Sequence, residues 1–130
     1  MNPKGVITRA SPFSVKETID RLQGFLIEHG ATIYARIDQQ AEAQKAEQLL
    51  PPLLFLMFGN PLGGAPLMAQ NPLIALDLPL KVIAWEDEHL QVWIAYNEAS
   101  YLEERYSMKA NPNSPLILDA LINRILKTEP

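Results

Sequence analysis

The stretch LLFLMF, residues 53–58, decides the fold because it is apolar at all six positions. A run of this length is typical of a buried strand, whereas a buried helix needs ten residues or more. Pro51 and Pro52 precede it and Gly59 follows it, which sets its limits. The sequence therefore predicts a central strand that is covered on both faces.

This strand lies inside an uncharged segment, residues 48–76. Twenty-nine consecutive residues carry no charge there, although charged residues make up 20% of the chain. Five prolines and three glycines interrupt the segment, so it cannot form the apolar helix of about 20 residues that spans a membrane. We expect the segment to be shielded from water by the fold itself, a second copy or an apolar guest molecule.

Two strands and two helices are predicted before this segment: strands at 6–10 and 32–37, and helices at 14–30 and 39–49. Ser14 is a good N-cap for the first helix, and Gly30 suits the left-handed conformation in which many helices end. The second strand alternates in polarity, which places Ile33, Ala35 and Ile37 on one face of a sheet.

From residue 65 onward, the pattern predicts a hairpin and three further helices. The elements are a short helix at 65–70 with Pro66 at its first position, strands at 81–86 and 91–96, a helix at 97–106 and a last helix from Ser114. No repeat or long linker divides the chain, so we expect a single domain over residues 1–130.

Composition excludes several classes of function. Cysteine is absent, which removes disulfides, thiolate nucleophiles and cysteine-ligated metals. Residues 77–106 carry seven acidic and two basic side chains, the reverse of a surface that binds phosphates, so we expect no nucleic-acid partner. Residues 1–5 do not resemble the start of a secretory signal, which favours a cytoplasmic location.

The two histidines do not predict a metal site. His29 falls at the end of the first predicted helix, where it can cap the carbonyl end, and His89 lies in an acidic turn. Neither has a second histidine at ligand spacing, and no phosphate loop or nucleophile elbow is present. We therefore expect neither a metal nor a cofactor.

Three polar residues within apolar sequence are the candidates for chemistry: Asn60, Asp77 and Lys81. Asn60 precedes Pro61 and can hold a turn through its side chain. Asp77 and Lys81 can form an ion pair, for which a structural role is preferred over a catalytic one. Lys81 is nevertheless the best single catalytic candidate.

Several short motifs together resemble the domain of unknown function 302 family. They are Phe58-Gly59-Asn60-Pro61, Leu67-Met68, residues 77–82, Trp85-Glu86-Asp87, Tyr96-Asn97 and Tyr101-Leu102. The resemblance implies an α+β two-layer sandwich similar to the TATA-binding-protein-like fold, with helices on one face of a mostly antiparallel sheet of about five strands. It also implies a small bacterial or archaeal protein that dimerises, and no established activity.

This sequence departs from that family at two positions. Many members carry a histidine where Gln39 and Tyr106 stand here. Any chemistry that the family performs with those histidines is therefore not available to this chain.

Two functions remain open at this point. The first is a non-catalytic homodimer or apolar-ligand-binding protein, whose ligand or interface residues would be Phe58, Leu67, Met68, Trp85, Trp93 and Tyr96. The second is an enzyme of unknown reaction with Asn60, Asp77 and Lys81 in its site. The acidic residues of 86–104 offer a weaker third possibility, a docking surface for a basic protein.

Overall fold

The computed structural model describes residues 2–128 and contains one sheet with helices around it. The strands are β1 (Val6–Ser11), β2 (Thr32–Asp38), β3 (Leu53–Gly59), β4 (Leu80–Glu86) and β5 (Val92–Asn97). The helices are α1 (Val15–Glu28), α2 (Gln39–Lys45), α3 (Pro61–Gln70), α4 (Ala99–Arg105) and α5 (Asp119–Ile125), with a 3₁₀ helix at Pro72–Asp77.

The sheet has the order β1-β5-β4-β3-β2, and every neighbouring pair is antiparallel. The helices α1 and α5 pack together, and α1 lies against the inner strands. The predicted α+β two-layer sandwich with a five-stranded antiparallel sheet is therefore confirmed. β3 has a neighbour on both sides, as its continuous apolar sequence predicts.

Local signals at the ends of α1 act as the sequence predicts. The Ser14 hydroxyl accepts a hydrogen bond from the Glu17 backbone N–H at 3.0 Å, and Gly30 has φ +82°. The His29 Nδ1 atom lies 2.8 Å from the carbonyl oxygen of Phe25, and its ring stacks on the Phe25 ring at 4.0 Å. The predicted capping role of His29 is confirmed.

The two faces of the sheet differ in what covers them. Leu56 and Phe58 of β3 and Val82 of β4 are buried under the helices and belong to the main core. The residues that alternate with them, among them Phe55 and Ile83, are only half-buried. The expectation that β3 is covered on both faces was wrong, because the helices lie on one side only.

The second face is called the open face below. The strand register places side chains from four strands on it: Ala35, Ile37, Phe55, Met57, Lys81, Ile83, Trp85, Trp93 and Ala95. The rings of Trp85 and Trp93 lie 6.5 Å apart across the hairpin. This face is thus largely apolar and has one charged side chain among those named, Lys81.

A register shift in β2 changes the predicted alternation of that strand. Ile33 pairs with Phe58 and packs on the main core, whereas Ala35 pairs with Met57 on the open face. The prediction that Ile33, Ala35 and Ile37 share one face was wrong, because a β-bulge inserts one extra residue and reverses the alternation.

A second apolar cluster lies outside the main core and consists of Ile74, Leu102, Tyr106 and Leu116. It fixes the 3₁₀ helix and α4 to the segment before α5. That segment, residues 114–118, is a loop rather than the start of the last helix. The buried Ser114 hydroxyl accepts a hydrogen bond from the Leu116 N–H at 3.1 Å, a turn that delays the helix until Asp119.

The uncharged segment is only partly shielded within one chain. Leu56 is fully buried, but Leu62, Leu73 and Leu76 are 87%, 63% and 71% exposed. Leu73 and Leu76 are three residues apart on the 3₁₀ helix and therefore lie on the same side of it. The fold itself does not provide the full shielding that the sequence predicts.

Candidate functional site

An apolar pocket of about 570 Å³ opens at one end of the sheet. Its floor contains Phe58 and Leu80 from adjacent strands, and its walls come from the end of α1, from α3 and from residues 115–121. None of the 21 residues that line it is Asp, Glu, Lys or Arg. Pockets of this size and character bind small apolar molecules in many proteins.

Asn60 sets the position of the α3 wall. Its side-chain oxygen accepts a hydrogen bond from the Leu62 N–H at 3.0 Å, and Pro61 occupies the first helical position. The structure therefore assigns Asn60 the turn-holding role that the sequence favours. The helix α3 begins at Pro61, four residues before the predicted start at Ala65, because Asn60 caps it there. Pro66 therefore lies inside the helix instead of at its first position.

Gly63 allows α3 to approach the loop before α5. A Cβ atom at this position would lie 2.9 Å from the Cβ atom of Pro115, which is closer than side chains normally pack. The helix α3 and the loop before α5 therefore touch at Gly63 and Pro115, and the absence of a side chain at Gly63 permits this contact beside the pocket.

The helix α3 depends on its neighbours for stability. It contains Gly63, Gly64 and Pro66 and has no buried residue. Glycine costs about 1 kcal/mol relative to alanine inside a helix, and an interior proline costs about 3 kcal/mol. The most adaptable wall of the pocket is therefore made by the helix with the weakest intrinsic propensity.

Three side chains bring hydrogen-bonding groups to the pocket: His29, Tyr34 and Asn60. Tyr34 is half exposed, and a Cβ atom at Gly59 would be 3.5 Å from its ring, so it lies beside the turn from β3 to α3. Within residues 2–128, no hydrogen bond involves the Tyr34 hydroxyl, the Asn60 Nδ2 atom or the His29 Nε2 atom. The pocket thus combines an apolar interior with a polar mouth.

The predicted ligand or interface residues fall into three groups. Phe58, Leu67 and Met68 come together in the pocket. Trp85 and Trp93 lie on the open face.

Tyr96 belongs to neither surface, because it is 4% exposed within the main core. The interpretation of Tyr96 as a ligand or interface residue does not fit this position. Its hydroxyl donates a hydrogen bond to Asp119 at 2.8 Å, and burial, followed by this carboxylate, raises its pKa to about 12. Tyr96 thereby anchors the first turn of α5, whose neighbours Leu118 and Leu121 line the pocket.

The candidate catalytic residues do not meet in one cavity. Asn60 lines the pocket, but Lys81 pairs with Met57 on the open face, and neither Lys81 nor Asp77 is among the pocket-lining residues. The Lys81 Nζ atom lies 4.0 Å from an Asp77 carboxylate oxygen. An arrangement in which Asn60 and Lys81 act on one substrate is therefore not formed here.

Asp77 instead joins the 3₁₀ helix to α4. Its Oδ2 atom accepts hydrogen bonds from the Tyr106 hydroxyl and from Arg105, the latter at 3.0 Å. The hydrogen bond to Asp77 is the main cause that raises the pKa of Tyr106. Tyr106 therefore serves this link as a hydrogen-bond donor.

Much of the pocket wall was not predicted from the sequence. Residues 115–118 were expected in a helix, and Tyr34 was assigned only to a strand face. No periodicity could have placed them near Phe58, because a loop and a β-bulge position them. The pocket is also lined by Leu78, Pro79 and Leu80. These three could have been identified in the sequence, because they form an apolar stretch between Asp77 and Lys81.

No metal site is found among residues 2–128, where three or more His, Asp or Glu side chains never cluster in a ligating arrangement. Asp87 illustrates why the acidic turn does not form one. Its carboxylate accepts hydrogen bonds from the Trp93 indole at 2.9 Å and from the backbone of His89 and Gln91. These donors, first of all the indole, lower the pKa of Asp87.

The chain is similar to parts of longer proteins. It is 38% identical over 104 residues to the fluoride-specific ion channel FluC 1 of Brucella suis biovar 1 (strain 1330), and equally so to FluC 1 of Brucella abortus biovar 1 (strain 9-941). The likeness covers 80% of this chain but only 41% and 38% of those proteins. The chain thus spans about two fifths of their length. In residues 2–128, no helix is both long enough and apolar enough to cross a membrane.

The fold also matches a solved structure. An uncharacterised conserved protein DUF302 from Bacillus stearothermophilus superposes with a TM-score of 0.75 at 19% identity, over 95% of this chain and 97% of that one. The family model described as domain of unknown function DUF302 matches residues 7–127, which confirms the resemblance in the sequence motifs. The chain therefore belongs to the DUF302 family.

Proposed function

We propose that this protein binds a small apolar molecule in the pocket between β3, α3 and the loop before α5. The observation that carries the proposal is a pocket of about 570 Å³ without a charged lining residue. The pocket is open to solvent, so its apolar lining lies against water and lacks the packing contacts of a closed interior. A guest molecule would recover those contacts.

The volume sets the size of the guest and the expected affinity. A methylene group is comparable in size to a water molecule, which takes about 30 Å³ in the liquid, so the pocket holds at most about 19 such groups. At about 0.3 kcal/mol per atom for ligands of this size, the binding free energy is about −6 kcal/mol. This corresponds to a Kd of tens of micromolar.

The test is binding of Nile red, an uncharged apolar dye, to the full chain, followed by its fluorescence. Gly64→Phe places a ring against Met68 inside the pocket, since a Cβ atom at Gly64 has Met68 as its one neighbour, at 3.8 Å. We expect this variant to bind the dye at least tenfold more weakly.

The matched control is Gly24→Phe on the exposed side of α1, where a Cβ atom meets nothing within 4 Å. This variant should bind like the wild type. Equal binding by Gly64→Phe and Gly24→Phe, or no binding by the wild type, would refute the pocket function.

A second proposal concerns assembly: we infer that two copies of the chain pack through their open faces. This surface carries aromatic and aliphatic side chains, among them Phe55, Ile83, Trp85 and Trp93, which are only half-buried within the chain. Aromatic residues and methionine are enriched in protein interfaces. Lys81, the charged side chain among those named on the open face, has an Asp77 carboxylate oxygen 4.0 Å away. The surface can therefore meet its own copy without opposing unpaired charges.

The area of the open face is adequate for a dimer. Five strands about 4.8 Å apart and six residues of about 3.4 Å each give a projected area of roughly 490 Å². Two such faces bury roughly 1,000 Å², which is at the lower limit for a specific interface. We expect a reversible dimer rather than an obligate one.

Light scattering of the protein as it elutes from a size-exclusion column measures the oligomeric state directly. Ile83→Lys places a charge between Phe55 and Ala95 on the open face, while its aliphatic stem preserves local packing. The control, Leu76→Lys, adds the same charge to the exposed 3₁₀ helix. We expect Ile83→Lys to be monomeric and Leu76→Lys to remain dimeric. A monomeric wild type, or the reverse order of the variants, would refute this interface.

A further inference from the structure

The ligand pocket has an apolar interior, and three side chains with hydrogen-bonding groups, His29, Tyr34 and Asn60, belong to its lining. The buried residues Leu26, Phe58, Leu116 and Leu118 form its interior. The polar side chains come from three nearby places, the end of α1, the start of β2 and the turn after β3. A ligand that fills the pocket therefore has an apolar body and one polar end.

The chemistry of the polar end follows from the groups that face it. The Asn60 side-chain oxygen is used by the Leu62 N–H, which leaves the Asn60 NH₂ group as a donor. Nδ1 of His29 is held by the Phe25 carbonyl oxygen, so Nδ1 carries the proton and Nε2 is the acceptor of the neutral ring. The Tyr34 hydroxyl can both donate and accept. Together these groups match a hydroxyl or carbonyl group.

A charged end fits this site poorly. None of the lining residues is Asp, Glu, Lys or Arg, so neither an ammonium nor a carboxylate finds an opposite charge there. A charge drawn into apolar surroundings without a partner is strongly disfavoured. The chain also carries a net charge of −4, which repels anions at longer range.

We propose that the pocket selects an uncharged amphiphile, with an apolar body of up to about 19 heavy atoms and a single hydroxyl or carbonyl group held by His29, Tyr34 and Asn60. This inference rests on the pocket function proposed above. It adds the class of ligand to that function.

The experiment compares three molecules with the same chain length as competitors of Nile red on the chain of residues 1–130: 1-decanol, decanoate and decylammonium. We expect 1-decanol to displace the dye at a concentration at least tenfold below that of either ion. Equal or better displacement by decanoate or decylammonium would overturn the inference while leaving the pocket function intact. Failure of the dye to bind at all would refute both.

Two variants test the polar mouth separately from the fold. Asn60→Asp keeps an oxygen that accepts the Leu62 N–H but adds a negative charge, so we expect decylammonium to gain and 1-decanol to lose affinity by about fivefold. Asn111→Asp is the control, since Asn111 also holds a turn through its side-chain oxygen and lies outside this pocket. An equal response of both variants would show that net charge, rather than contact at the mouth, sets the preference, and would contradict the inference.

Discussion

Raising the pH above 10 should destabilise this protein through a single buried phenol, that of Tyr96. The side chain is 4% exposed, and its hydroxyl donates a hydrogen bond to Asp119 at 2.8 Å. Burial is the largest cause that raises its pKa from 10 to about 12, and the Asp119 carboxylate adds to the effect. In the unfolded chain the phenol loses both influences and titrates near pH 10.

The sign and size of the effect follow from linkage. Below pH 10 the phenol is protonated in both states, and the free energy of unfolding does not depend on it. Between pH 10 and 12 the unfolded chain loses the proton while the folded chain keeps it, so stability falls as pH rises. Two units of pKa at about 1.36 kcal/mol each give a total loss of about 2.7 kcal/mol, and about half of it is reached at pH 11.

Urea unfolding of the wild type and of Tyr96→Phe, measured by circular dichroism from about pH 9 to pH 11.5, isolates this contribution. Lysines and the other tyrosines titrate in both proteins and cancel in the difference. At pH 9 the variant should be less stable by about 1 kcal/mol, since Asp119 loses a hydrogen bond. That difference should shrink with pH and change sign near pH 11.

A constant difference across this range would refute the argument, because it would mean that the phenol titrates alike in both states. Ionisation of Tyr96 should also affect the pocket. Tyr96 holds the first turn of α5, and Leu118 and Leu121 on either side of Asp119 line the pocket wall. Nile red binding by the wild type should therefore weaken over the same pH range.

Three further predictions concern local structure. The pKa of Asp87 lies below 3.8 because the Trp93 indole donates to it, so the Trp93 indole proton should shift in NMR spectra with a midpoint below that pH, and a midpoint at or above it would count against the contact. Gly24→Ala in α1 should raise the free energy of unfolding by about 0.5–1 kcal/mol. Gly30→Ala should lower the free energy of unfolding by a similar amount or more, because φ is +82° at this position. Urea unfolding should therefore show changes of opposite sign for the two variants. Thr18→Val removes a fully buried hydroxyl that donates a hydrogen bond to the Ser14 carbonyl oxygen and accepts one from the Ser11 hydroxyl. This should cost about 1–2 kcal/mol, and an unchanged urea midpoint would contradict it.

The sheet could be predicted from sequence to a large extent because its signals are local. The continuous apolar run at 53–58 indicated an inner strand, and the N-cap residue Ser14 indicated the start of α1. The face assignment of β2 could not be predicted in the same way. One extra residue between Ile33 and Ala35 reverses the alternation, and no residue type in that strand marks the bulge.

The pocket could be predicted only in part, for a physical reason. Phe58, Leu67 and Met68 were identified because they belong to an uncharged segment that must avoid water. The opposite wall, residues 115–121, comes from a part of the chain with an ordinary composition. Its place in the site depends on the close approach of Pro115 to Gly63, which is a tertiary contact.

The two proposals explain the lack of charge in residues 48–76 separately. β3 needs no charge because one of its faces is in the core and the other is the proposed contact with a second copy. The α3 helix has no buried residue of its own, so core packing does not explain its apolar sequence. A charged side chain on α3 would lie beside the pocket, and an uncharged guest would bind less favourably because it would desolvate that charge. Under the two proposals, the same absence of charge would suit an interface through β3 and a ligand through α3, and the Ile83→Lys and Gly64→Phe variants separate the two.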